Sequence, residues 1–381
     1  MSESPVRYVR VKTEGVPFAP AVRAYGNVGI IGIANPPTTN PPLDFLAPNV
    51  PTLFTDVNEA RRIAAGPLGE AIATALIQEP GPSEVWGVRM AQANTYDDAL
   101  AKMGTVNVQL VLFAGTALSL TTPTGGQPTP TPAIAKLAEH VVAPVADGME
   151  RIGVAMLAKG AADPAVLVGS LVTERMVYVA HKSDDDVAAA VAGTIAGYEP
   201  HVSLLLKRVK VKSDPFSAAE LIKLNGSESA DTGGPQGKGV NWLVDPPLIP
   251  GSGVHLGEGY TGSAGSPGTK KYIDMVRTVD DITFRLKARL IGTIGNLRIS
   301  RSGLRGLVAE MEAVLEPLRR AEVIEEYEIV VPILALLDKP QRTPLEDRLV
   351  QDAQTDRAAE AMVRVDYAGA IHRINITLKF D

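Results

Sequence analysis

The sequence predicts an α/β protein: a helix-flanked, mainly parallel sheet core, an extended N-terminal strand arm, and a C-terminal helix pair followed by a β-hairpin. Three observations predict it. Short continuous apolar runs at 85–89, 106–113, 152–157 and 176–180 are separated mostly by stretches of helical period. That alternation suits parallel strands buried on both faces beneath helices. Between 270 and 327 the apolar residues Met275, Val276, Val279, Ile282, Leu286, Leu290 and Ile294 recur every three or four positions, and Leu304, Leu307, Val308, Met311, Val314, Leu315 and Leu318 repeat the pattern. Each series is one greasy stripe, so two amphipathic helices can pack on each other. Finally, both ends of the chain alternate with the period of two that marks half-buried strands.

In order along the chain, residues 4–12 (SPVRYVRVK) form a strand outside the main core, because Pro17 and Pro20 separate it from the next element. A small-residue strand follows at 26–34, then a loop, a helix starting near Asp56 and another over 68–77. Residues 133–149 and 184–196 read as covering helices, the second with Ser183 and Asp186 arranged like a capping box and acids complementing the helix dipole. The Pro, Thr and Gly-rich run 121–132 is a surface loop. Residues 201–211 carry a short strand and 217–225 a helix, while 226–239 and 246–268 are Gly and Pro-rich connections. A basic turn, 295–302, joins the two long helices, with Ser302 the expected cap of the second; Pro317 should loosen that helix's last turn. At the C-terminus Ala361, Val363, Val365 and Tyr367 share one face, Gly369 turns the chain, and Ile374, Ile376, Leu378 and Phe380 share a face of the return strand.

Catalytic chemistry finds little support. The glycines at 26, 29 and 32 punctuate a strand, whereas a dinucleotide fingerprint needs them in the turn after it, so close strand packing explains them. The run GGPQGKG at 233–239 has Thr232 where a phosphate loop needs its first glycine, and Lys238 is followed by Gly. His140, His181, His201, His255 and His372 show no metal-ligand spacing, and no nucleophile elbow occurs. We expect no cofactor, no metal and no enzymatic activity.

The 381 residues suffice for two or three domains. Hydrophobic content of 45% and charged content of 21% are those of ordinary globular chains. A net charge of -6 offers no basic excess for nucleic acid. No apolar stretch is long enough for a membrane span, and no leader is evident, so folding in the cytoplasm is expected. The absence of cysteine removes disulfides and thiolate sites together.

Charge is segregated around the helix pair. Lys270, Lys271, Arg277, Arg285, Lys287, Arg289, Arg298, Arg301 and Arg305 face only Asp274, Asp280 and Asp281 up to the start of the second helix, after which Glu310, Glu312, Glu316, Glu322, Glu325, Glu326 and Glu328 dominate. Two readings are open: solvated helix faces joined by internal ion pairs, or docking onto a partner by complementary charge.

The succession of Met275-Val276-Arg277-Thr278-Val279-Asp280 at the start of a long helix, a basic turn, an amphipathic helix and closing strands resembles the C-terminal part of contractile-tail sheath proteins, which form the sleeve of phage tails, R-type bacteriocins and contractile injection systems. The strand at 26–34, the helix pair after it, and the helix ending in Leu224-Asn225 are similar to that family too. The chain departs from it at Gly257-Glu258-Gly259-Tyr260-Thr261, where many sheath proteins carry Trp-Gly-x-Arg-Thr. The resemblance implies a division into an arm (1–25), an α/β core (26–225), a connection (226–269) and C-terminal helices with a strand-exchange hairpin (270–381). It implies subunits stacked in six-fold rings around an inner tube protein, with baseplate and tail terminator proteins as further partners, and contraction without nucleotide. Strand exchange between subunits would use Val6, Tyr8, Val9 and Val11 with Val363, Val365, Ile374, Ile376, Leu378 and Phe380, and Arg298, Arg301 and Arg305 would face the tube. The alternatives are a cytosolic enzyme with a doubly wound sheet, carrying a ligand pocket at the sheet's carboxyl edge, and a non-contractile structural protein of a tail or compartment.

Overall fold

The computed structural model describes residues 26–37, 42–122, 126–143, 149–227, 237–246 and 253–372. In chain order its elements are β1 (Asn27–Gly32), β2 (Thr52–Phe54), α1 (Val57–Ile63), α2 (Pro67–Leu76), β3 (Glu84–Arg89), α3 (Tyr96–Met103), β4 (Leu110–Phe113), β5 (Ala117–Leu118), β6 (Leu120–Thr121), β7 (Thr129–Pro130), α4 (Pro132–Val142), β8 (Ile152–Leu157), β9 (Met176–Ala180), α5 (Val187–Gly197), β10 (Arg208–Val209), α6 (Ala218–Asn225), β11 (Val240–Val244), β12 (Val254–Leu256), α7 (Ile273–Ile291), α8 (Arg301–Arg320), β13 (Ile324–Val330), α9 (Pro332–Asp338), α10 (Pro344–Asp356) and β14 (Met362–Tyr367). The chain divides into two compact units, the smaller running Thr278–Ala370 and the larger holding the described residues before it together with Ile371 and His372.

The larger unit is built on a ten-stranded sheet in the order β10-β12-β11-β9-β8-β4-β1-β3-β2, with β5 beside β8. Pairings among β3, β1, β4, β8, β9 and β11 are parallel; β2, β12 and β10 add antiparallel edges. The apolar runs are continuous because the two-residue period of a strand divides each between two buried faces. In β4, Leu110 and Leu112 pack beneath α1, α2 and α5, while Val111 and Phe113 pack on the opposite side with Met103 of α3 and Leu137 of α4. Strand β9 divides likewise, Val177 and Val179 against Met176 and Tyr178. Fully burying one such side chain contributes about 1.5–3 kcal/mol.

The glycines of the first strand serve packing. A Cβ on Gly29 would lie 2.5 Å from the Met103 sulfur, and one on Gly32 2.7 Å from the Ala114 Cβ, so a side chain at Gly29 would displace that of Met103 and one at Gly32 would crowd the end of β4.

Several local expectations are corrected. Helix α5 starts at Val187 because Asp186 is itself the N-cap, its carboxylate accepting from the Ala189 amide at 3.0 Å; Ser183 instead accepts from the Asp185 amide. Helix α4 ends at Val142. The 246–268 connection contains β12, and Leu120–Thr121 and Thr129–Pro130 pair across the 121–132 loop. A capping box predicted by no expectation starts α6, with Ser217 and Glu220 bonding reciprocally.

In the smaller unit the stripes of α7 and α8 do meet. Leu286 packs with Leu315 and Leu318 in one cluster and with Leu304, Leu307 and Met311 in another. The α7 stripe is narrower and shorter than its periodicity suggests: Val279 is 45% exposed, and Ile294, 39% exposed, lies beyond the end of the helix at Ile291. The cap of α8 is Ser300, accepting from the Gly303 amide at 3.2 Å, and Ser302 lies inside the first turn. Two further helices, α9 and α10, stand between β13 and β14, in a stretch for which the sequence pattern predicts no helix. Thr343 and Glu346 form a capping box at the start of α10, with Pro344 at its first position.

Candidate functional site

A doubly wound sheet offers ligands the crevice at the carboxyl ends of its strands where the order reverses. Here that point lies between β1 and β4, and the chain itself fills it. The first turn of α2 closes over it, the fully buried Leu68 donating its amide to the Ile33 carbonyl at 3.1 Å. On the β4 side the Ala114 amide is spent on Ile31 (2.7 Å) and the Gly115 amide on the Asp186 carboxylate (2.6 Å). Burial pushes the Asp186 carboxyl up, while the amides of Gly115, Ala189 and Ala188 pull it back toward the charged form. These three amides are therefore already occupied within the chain. Among the described residues no group of three His, Asp or Glu is placed to hold a metal ion. A shallow recess of about 250 Å³ lined by Pro164, Leu167, Val172, Lys238 and Ser266 has Lys238 as its one charged group, and its ammonium donates to the Lys223 carbonyl.

What the smaller unit offers is backbone. Strands β13 and β14 form an antiparallel ribbon, Tyr327 opposite Val365, Ile329 opposite Val363 and Glu328 opposite Arg364, with an irregularity at Glu325. One face, Tyr327, Ile329, Val363 and Val365, packs on Leu315, Leu318 and Ile282; the other presents Glu326, Glu328, Arg364 and Asp366. Each strand has one edge paired, and among the described residues the other edge of each has no strand partner. Such an edge presents a row of backbone donors and acceptors to an incoming strand. A two-stranded ribbon is marginal in water and here stands because α8 supports it.

The return strand of the expected hairpin, with Ile374 to Phe380, lies outside the described residues; within them the partner of β14 is β13, a strand whose sequence, IEEYEIV, hid among the acids following the second helix. Val363 and Val365 sit on the inward face of that ribbon, so what β14 can offer a neighbour is its backbone edge. Val6, Tyr8, Val9, Val11, Ile374, Ile376, Leu378 and Phe380 lie outside the described residues.

The basic turn is part of an ion-pair network. Arg305 bonds to the Asp338 carboxylate at 3.1 Å; Arg301 lies 3.6 Å from the same carboxylate and donates to the Leu337 carbonyl. Both guanidinium groups thus complement the negative end of α9. Arg298 is exposed on the turn. Further along, Arg289 pairs with Glu310, and Arg319 with Arg320 pulls the Glu316 carboxyl down to about 2 by direct hydrogen bonds. Internal ion pairs therefore account for part of the charge segregation. Arg301 and Arg305 share the single Asp338, and with Arg298 exposed beside them this stretch keeps a positive excess.

Comparison with solved structures places the whole chain. It superposes on a chain of the anti-feeding prophage baseplate with a TM-score of 0.63 at 12% identity, covering 100% of both chains. A chain of the contracted helical sheath of the anti-feeding prophage gives a TM-score of 0.62 at 12% identity, covering 100% of this chain and 97% of the other. The fold is that of contractile sheath proteins. The sheath tail protein Lin1278 of Listeria innocua gives 0.55 at 9% identity over 94% and 97%. In sequence, no family model and no curated protein matches. At such identities the sheath fold is kept by burial pattern and topology, with hardly any shared residues. Both units belong to the sheath fold, since the match spans the parallel sheet and the helix pair with its ribbon.

Proposed function

We propose that this chain is the structural subunit of a contractile sheath, polymerising in stacked six-fold rings around an inner tube protein and contracting by rigid-body movement of subunits. One observation carries the reading: the correspondence with a helical sheath chain covers 100% of this chain and 97% of the other, the ribbon included. Support comes also from the crevice at the sheet's carboxyl edge, where the amides of Leu68, Ala114 and Gly115 are already bonded within the chain. The N-terminal segment with Val6, Tyr8, Val9 and Val11 and the C-terminal run with Ile374, Ile376, Leu378 and Phe380 are the strands that would pair with the free edges of a neighbour's ribbon. Arg298, Arg301 and Arg305 would face an acidic surface of the tube. Baseplate and terminator proteins would cap the polymer. The chain would be made and assembled in the cytoplasm and function within a phage tail or tail-like particle. The work of contraction would come from the free-energy difference between two packings of the same subunits, so no nucleotide is required.

The test is co-production with the tube protein followed by negative-stain microscopy. Ribbed sleeves are expected, and loss of them on deletion of residues 371–381. A chain that stays monomeric at high concentration in ultracentrifugation, with and without the tube protein, overturns the reading.

A further inference from the structure

Among the described residues the chain passes out of the larger unit after Arg277 and back into it at Ile371, and residues beside both passages are tied to one segment, 198–206. On the way out, the Arg277 guanidinium donates to the Tyr198 carbonyl at 2.8 Å and the Glu199 carbonyl at 3.4 Å. On the way back, Ile371 is 78% exposed, but the side chain of the next residue, His372, is only 9% exposed. Its Nδ1 lies 3.1 Å from a carboxylate oxygen of Glu258, whose side chain is 3% exposed, and its Nε2 lies 2.8 Å from the Ser203 hydroxyl. The ring rests against Tyr272 with centroids 4.5 Å apart. Ser203 is held in turn by the Leu205 amide, and the loop carrying Glu258 is fixed at both sides, Gly257 donating to the Trp242 carbonyl and Gly259 accepting from the Ile273 amide.

We infer that Ser203, Glu258 and His372 form a latch that seats the root of the C-terminal segment on the larger unit. A carboxylate only accepts, so Nδ1 carries the proton toward Glu258, and in the neutral ring Nε2 accepts from the Ser203 hydroxyl. If the ring gains a second proton, the same hydroxyl oxygen accepts instead. Both contacts survive either state. Burying a carboxylate and an imidazole together is costly unless each is bonded, so the pair resists separation once seated. Nine residues, 373–381, follow the latch. Fully extended they reach about 30 Å, so any edge they join lies within that radius of the Ser203–Glu258 seat.

The consequence for assembly rests on the strand-link reading above, but the latch itself is tested on the soluble chain. Trypsin cleavage after Arg373 is timed for the native protein, His372→Phe, which keeps a ring against Tyr272 and removes both hydrogen bonds, and the milder Ser203→Ala and Glu258→Gln. Fluorescence of Trp86 and Trp242 checks that the larger unit stays folded. The expected result is cleavage about ten- to a hundredfold faster in His372→Phe, with smaller increases in the other two. Equal rates in all four proteins overturn the latch, and if His372→Phe does not fold, the two milder variants decide by the same criterion. Sleeves formed by a variant with fast cleavage leave the latch standing and count against the strand-link reading alone.

Discussion

His140 makes the stability of the larger unit depend on pH. It sits on α4, partly withdrawn from water, with its Nε2 buried and without a hydrogen-bond partner among the described residues. Burial, and secondarily the positive charge of Arg151, push its pKa from 6.5 down to about 4. Between those values the unfolded chain binds the proton and the folded chain does not, so stability rises with pH. The contribution is whole above pH 6.5, falls as pH drops through that value, and is gone below about 4. An interval of 2.5 pH units at 1.36 kcal/mol each sets a ceiling of about 3.4 kcal/mol, and the ring's partial contact with water lowers the expected loss to about 2 kcal/mol.

The assay is urea unfolding followed by fluorescence at pH 7.5, 6, 5 and 4, for the native chain and His140→Gln. Both tryptophans, Trp86 and Trp242, lie in the same unit as His140, so the signal reports the right transition. His181 is also pushed down by burial and acts in the same sense, but it is present in both proteins and cancels from the difference. The stability difference between native and variant should shrink by about 2 kcal/mol from pH 7.5 to 4. A difference constant across that range refutes the argument.

Three further outcomes follow from single sites. Asn241 donates to the carbonyls of Tyr178 (3.1 Å) and Tyr260 (2.9 Å) and accepts from the Tyr260 amide (2.6 Å), all buried, so Asn241→Leu should cost about 2–4 kcal/mol in the same fluorescence assay. Leu315 is fully buried among Ile282, Val323 and Ile324; Leu315→Ala should cost about 2–5 kcal/mol, read as faster hydrogen exchange in α8 with the tryptophan transition unchanged. Joint replacement of Arg298, Arg301 and Arg305 by Glu should leave circular dichroism unchanged and stability within about 1 kcal/mol, because the pairs to Asp338 are exposed, the arginine side chains at 55% and 66%; sleeve formation on the tube should be lost, and its survival would assign these arginines to the internal network alone.

Much of the larger unit was legible because its elements carry their reason locally. A strand buried on both faces must be apolar throughout, so β8 and β9 show at their full length in the sequence. Asp56 before α1 and the three-and-four spacing of α8 are equally local signals. The missed elements owe their form to partners. Strand β13 has three exposed glutamates and becomes a strand by pairing with β14 and resting on α8; β12 is three residues in a Gly and Pro-rich stretch, held between β10 and β11. Ser300 caps α8 where Ser302 was expected because the cap must stand at the point where the backbone enters the helix, and the conformation of the turn decides that point. The seat at Ser203, Glu258 and His372 joins residues up to 169 positions apart. Periodicity records which face of an element is buried, a property of neighbouring residues, so sequence alone determined α2, α4, α5, α7, α8 and the central strands, while α3, α9 and α10 were passed over. Which distant groups meet, which edges remain open and which arginines are already paired depend on how those faces pack, and only the tertiary structure decided them.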